Sequence, residues 1–157
     1  MADNKTLNLD EKVSVKNIAN WKVGFARIES IGDVTIQPNA TMRLPRSEII
    51  AQINSGNTLF TGIDGKGSHA TLFIDDQPTR IEVDFDSEDG KSVQHCFSDD
   101  IVKRLFAFNQ VRFEDELPSY IRTRAEKYAI VDAIKRLHLN DYSKIRYIEK
   151  YTGYNVQ

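Results

Sequence analysis

The sequence predicts an α+β fold: a β-rich region built on a small, strongly bent sheet or barrel with one inserted helix, then three C-terminal helices. Three observations predict it. Residues before Asp99 run in short apolar alternations broken by Gly, Pro, Asn and Asp turn residues. Residues after it follow helical spacing almost to the end. No linker long enough to separate a pair of domains lies between. The expected organisation is a single domain: residues 13–97 form the β-rich region, and residues 98–157 form a helical region packed on it. Residues 1–12, polar and aperiodic, read as a flexible N-terminal arm.

Strand character starts at Val13. Within residues 22–28, Val23 and Phe25 fall on one face, and Gly24 permits a bulge or a close backbone approach. Gly32-Asp33 signals a turn, after which Val34 and Ile36 alternate with Thr35 and Gln37. Pro38-Asn39 turns the chain into a strand at 41–44. The inserted helix starts with Ser47 as N-cap, buries Ile49, Ile50 and Ile53, and stops at Gly56. Residues 58–61, a glycine-rich connection and residues 70–74 follow. The cleanest alternation is at 80–85, where Ile81, Val83 and Phe85 point inward and Arg80, Glu82 and Asp84 outward. Residues 87–91 form a loop and 92–97 the last strand.

Ser98 or Asp99 caps a helix carrying Ile101, Val102, Leu105, Phe106 and Phe108. Pro118 breaks it and opens a second helix, residues 119–139, with Tyr128, Val131, Ile134 and Leu137 inside. After Asn140-Asp141, residues 142–151 make a last helix with Ile145 and Ile148 inside and Gly153 as its stop.

At 157 residues the chain is one domain in size, able to bury roughly 70% of the surface its unfolded form exposes. The single cysteine, Cys96, has no internal partner, and the first residues lack the charged and apolar regions of a signal peptide. A reducing, intracellular compartment is the expectation. No apolar run approaches the roughly 18 residues that span a bilayer, so the expectation is a soluble protein without membrane contact. Charge is unevenly spread: residues 1–118 carry 13 Lys and Arg against 19 Asp and Glu, and residues 119–157 carry 8 against 4. An acidic front and a basic tail suit either head-to-tail self-association or nucleic-acid contact through the tail, and equally a solvated helix surface.

Gly62-Ile-Asp-Gly-Lys-Gly-Ser68 imitates a phosphate-cradling loop and fails in detail. Such a loop needs Gly where Phe60 stands and Ser or Thr where Gly67 stands, and it must open a helix. A mobile hairpin loop is expected instead, with Asp64, Lys66, Ser68 and His69 as exposed contacts. The carboxylates from Asp84 to Asp89 suggest calcium, but an EF-hand counted from Asp84 needs Gly sixth and Glu twelfth, and finds Asp89 and His95. His69, His95 and His138 are scattered, and His95 and Cys96, adjacent on a strand, would face opposite ways, which argues against zinc. As a nucleophile Cys96 would need an activating histidine and an exposed, electropositive place; a small buried thiol is expected. No catalytic residue, metal or cofactor is assigned, and no small-molecule substrate is evident. An enzyme would betray itself by a pocket with polar groups converging around Cys96 or His69.

The last two helices resemble a helix-turn-helix in outline, with Lys144, Arg146 and Lys150 facing phosphates and Tyr147, Tyr151 and Tyr154 alongside. Glu149 interrupts that basic face. A DNA-binding regulator would bind with steep salt dependence, lost when the three cations become alanine.

Three stretches carry a family resemblance: Asn20-Trp-Lys-Val-Gly-Phe25, residues 56–70, and residues 139–153. They are similar to small uncharacterised proteins encoded among the virion genes of phages and prophages of Gram-positive bacteria. The resemblance covers most of the chain from about residue 20 and carries no catalytic residue. It implies a non-enzymatic head, connector or capsid-associated component, made in the host cytoplasm and carried in the virion. Its partners would be itself or other phage structural proteins. The contacts expected are the loop at 62–69 and the terminal helix, with Tyr147, Tyr151 and Tyr154 as anchors. A phage-encoded inhibitor of a host protein is the further alternative, and it would form a tight one-to-one complex without self-assembly.

Overall fold

In a computed structural model, residues 7–94 and 96–156 are described. β1 (Lys12–Asn17) is the centre of a three-stranded antiparallel sheet between β4 (Thr41–Pro45) and β5 (Leu72–Asp75). Val13 and Val15 of β1 turn inward while Lys12 and Lys16 face solvent, and Val15 sits opposite both Met42 and Ile74. β2 (Val23–Ala26) and β3 (Asp33–Ile36) form a separate hairpin whose Val23, Val34 and Ile36 join the same core. Gly24 sits opposite Thr35, and a Cβ there would come within 3.1 Å of the Val34 carbonyl.

The helices are α1 (Arg46–Asn54), the single turn α2 (Thr58–Thr61), α3 (Gln77–Glu82), α4 (Asp99–Ala107), α5 (Gln110–Tyr120), α6 (Arg124–Arg136) and α7 (Tyr142–Thr152). The fold is mixed α+β, with sheet and short helices interspersed in the N-terminal region and helices alone in the C-terminal region. Among the described residues the apolar interior forms two clusters. Val15, Leu44, Ile49, Phe60, Leu72 and Ile74 fill the sheet side, while Leu105, Phe113, Leu117, Ile121, Ile130, Ile134 and Ile148 fill the helical side. Each such side chain, fully buried, contributes about 1.5–3 kcal/mol. Trp21 packs against both clusters.

Several expectations are corrected. The sheet does not close into a barrel, because residues 80–85 add no strand to it. Asp76 accepts the amide of Thr79 and Pro78 stands in the first turn, so this stretch begins as α3. Asp84, at φ 65°, then reverses the chain. Residues 58–61 are helical under the Asn57 cap, and the described residues of 92–97 form no strand. Among the described residues there are three inserted helices instead of one, and four C-terminal helices instead of three. Pro118 lies near the end of α5, which starts under Asn109. α6 opens later, on a capping box in which Thr123 and Glu126 exchange hydrogen bonds.

α1 begins at Arg46 with no side-chain cap, and Ser47 lies within it. Its buried face is Arg46, Glu48, Ile49 and Gln52, with Ile50 and Ile53 only half-buried. Three backbone carbonyls of the polar segment before β1 accept from its first turn: Glu11 and Leu9 from the amides of Arg46 and Ser47, and Asn8 from the Arg46 guanidinium. The guanidinium also binds Glu11, Asp76 and Thr79. Residues 1–6 of the expected arm, and His95, lie outside the described residues. Among the described residues, no helix is long and apolar enough to cross a membrane.

Candidate functional site

The glycine loop is compact. Asp64 Oδ1 accepts the amides of Lys66 at 2.7 Å and Ser68 at 3.2 Å, and Gly67 donates to the Thr61 carbonyl at 2.7 Å. Burial alone would raise the Asp64 carboxyl, but hydrogen bonds from Ser68 and Lys66 outweigh it and hold the group below its usual range. Asp64 and Lys66 are exposed and Ser68 is half-buried; all three border a shallow groove with Asp84, Ser87 and Val93.

His69 behaves differently. With φ at 57° it turns its ring toward the helical region, where Nδ1 lies 2.8 and 2.7 Å from the two carboxylate oxygens of Glu126. Glu126 is 1% exposed and also accepts the amides of Arg122 and Thr123, at 2.9 and 3.0 Å. One carboxylate therefore caps α6 and ties it to the loop after α2. His69 and Glu126 line a cavity of about 260 Å³ together with Ser68, Cys96, Ile101, Ser119 and Tyr120. Polar groups thus do converge around His69. The Cys96 thiol, however, donates to the Ala70 carbonyl at 3.2 Å and is pushed up to about 12 by burial and by the Glu126 charge. It is protonated at neutral pH.

Glu126 is not among the residues expected from the sequence, although Thr123-x-x-Glu126 is a readable capping signature. A helix start expected at Pro118 hides it.

The terminal-helix candidates fall elsewhere. Lys144 is buried, 2.8 Å from Asp141 and 5.8 Å above the Phe113 ring centre, so it does not face outward with the other cations. Tyr147 packs edge-on against Phe113, Tyr151 donates to the Ile121 carbonyl at 2.7 Å, and Tyr154 stacks on Tyr128 at 4.2 Å. These three tyrosines are half-buried members of the helical packing. Arg146 and Lys150 are exposed, Arg146 bonding Tyr142, which keeps 70% of its surface. Loop and terminal helix border different grooves and form no joint site.

A further cleft, of about 290 Å³, lies between β1 and β5 on one side and α4 and α6 on the other. Two of its carboxylates pair with Arg136: Asp99 through two hydrogen bonds at 2.8 and 2.9 Å, which hold that carboxyl below its usual range, and Asp132 at 3.4 Å.

Among the described residues, no group of three or more His, Cys, Asp or Glu is placed to hold a metal ion. No protein-family model, curated protein or solved structure matches the chain.

Proposed function

We propose that the chain is a non-enzymatic component or assembly factor of a phage particle, working through protein-protein contacts, first in the host cytoplasm and then in the virion. The observation that carries this reading is the tip of the β2–β3 hairpin. Ile28 is 49% exposed and Ile31 fully exposed, yet the turn bearing them is held from within. The buried carboxylate of Glu48 accepts the amides of Ile28, at 3.0 and 3.2 Å, and Glu29, at 3.1 Å. Fixing an apolar turn in advance lowers the entropy lost when a partner covers it. The resemblance of the three stretches above to virion-encoded proteins supplies the context. The protonated, buried thiol of Cys96 supports a non-enzymatic role, and the burial of Lys144 weighs against the DNA-binding alternative.

The test is absolute mass by light scattering on a sizing column, across protein and salt concentration, for the wild type and an Ile28→Ser/Ile31→Ser double variant. Rings or other closed assemblies that the variant fails to form support the reading. A monomer at every concentration would overturn self-assembly and turn the search to a one-to-one complex with a viral or host protein.

A further inference from the structure

We infer that the cavity beside His69 is a binding site for a small, uncharged molecule presenting a hydroxyl group on an apolar body, a site that goes beyond the particle reading and does not depend on it. A carboxylate only accepts hydrogen bonds, and both Glu126 oxygens lie against Nδ1, so Nδ1 carries a proton. In the neutral ring Nε2 then presents a bare lone pair.

That lone pair has no protein partner among the described residues. Nor is it sealed inside: the buried side-chain polar atom left without a partner is Gln94 Oε1, and the His69 side chain keeps 11% of its surface open. His69 adopts a left-handed backbone, φ 57°, at the point where its ring meets both Glu126 and the cavity.

The rest of the wall sets the ligand class. Ile101, the ring of Tyr120 and the protonated thiol of Cys96 offer apolar surface. Ser119 Oγ donates to the Glu116 carbonyl at 2.7 Å, which leaves its lone pairs to accept. An anion would meet the Nε2 lone pair with the Glu126 charge behind it. A neutral hydroxyl donor meets a matching acceptor. At about 260 Å³ the space lies just under the roughly 300–1,000 Å³ of drug-sized pockets, so the ligand is of single-ring size.

The experiment uses ¹⁵N-labelled full-length protein, long-range ¹H–¹⁵N correlation of the imidazole rings, and two probes of nearly equal shape: benzyl alcohol, and toluene, which lacks the donor. The free protein should show His69 protonated at Nδ1 and bare at Nε2. Benzyl alcohol should shift the Nε2 resonance saturably while leaving His138 unmoved. Toluene should bind roughly tenfold more weakly, the worth of one hydrogen bond. Ile101→Phe, which fills the cavity from α4, should abolish the shift. If that variant fails to fold, the comparison of the two probes on the wild type decides alone. A proton on Nε2, whether with Nδ1 bare or with both nitrogens protonated, no saturable shift with benzyl alcohol, or equal affinity for both probes would each overturn the proposal.

Discussion

Gly67 lies directly under the ring of Phe85: a Cβ on the glycine would meet Phe85 Cδ2 at 2.7 Å and Gln94 Cγ at 3.1 Å. The glycine loop is therefore packed onto the segment after α3 along one edge. Its sequence suggests mobility, but Gly67 serves close approach.

Gly67→Ala is expected to lower stability by about 3 kcal/mol, combining left-handed strain and overpacking. Gly65 has a similar φ of 77° but open space around a Cβ, so Gly65→Ala should cost only about 1 kcal/mol. Urea midpoints of the two variants measure the difference; equal losses would remove the packing role of Phe85.

Lys144→Ala should destabilise the protein by about 1–2 kcal/mol, through lost packing over Phe113 and the broken pair with Asp141. Lys150→Ala, on the exposed face, should stay within about 0.5 kcal/mol of wild type. Thermal melts of both variants separate a packed cation from a solvated one.

Acid should unfold the protein through carboxylates held by hydrogen bonds, the buried Glu48 and the half-buried Asp76. Burial alone would raise the Glu48 carboxyl, but the amides of Ile28 and Glu29 and the Gln52 side chain outweigh it and hold the group down. Hydrogen bonds from Thr79 and Arg46 likewise outweigh burial at Asp76. A folded-state value below the unfolded one means stability that is fully present above the unfolded value. It is lost as pH falls below about 4 and through the folded value. Urea midpoints should fall over that range in the wild type and fall less steeply in Glu48→Gln.

The Cys96 thiol should resist maleimide labelling at pH 7 in the folded protein and react promptly in urea, as mass spectrometry of the intact chain would record. Rapid native labelling would mean that the cavity opens to it.

Where local signals are strong and single, the sequence is readable. The alternation of Val34 with Ile36, the Ser98 cap and the Gly153 stop each place an element correctly, since no other local structure competes there. Residues 80–85 mislead because six alternating residues satisfy a strand pattern, while the Asp76 cap and Pro78 just upstream start a helix. Pro118 removes one helical amide inside the last turn of α5, and the helix runs only to Tyr120, so the proline marks the approach of one helix's end and not the start of the next. The site is half-legible: His69 stands out as a residue type, but Glu126 lies 57 positions away and only the tertiary fold brings them together.

Trp21, the chain's one tryptophan, touches both apolar clusters, meets Tyr128 edge-on at 5.8 Å and lies 5.3 Å beneath the Arg124 guanidinium. A single chromophore therefore sits on the seam between sheet and helices. Its emission follows the separation of the clusters, while far-ultraviolet dichroism, dominated by helix, follows the melting of the C-terminal region. Coincident transitions would mean that the two clusters stand or fall together, and an earlier fluorescence change would reveal a state in which the seam has opened while the helices persist.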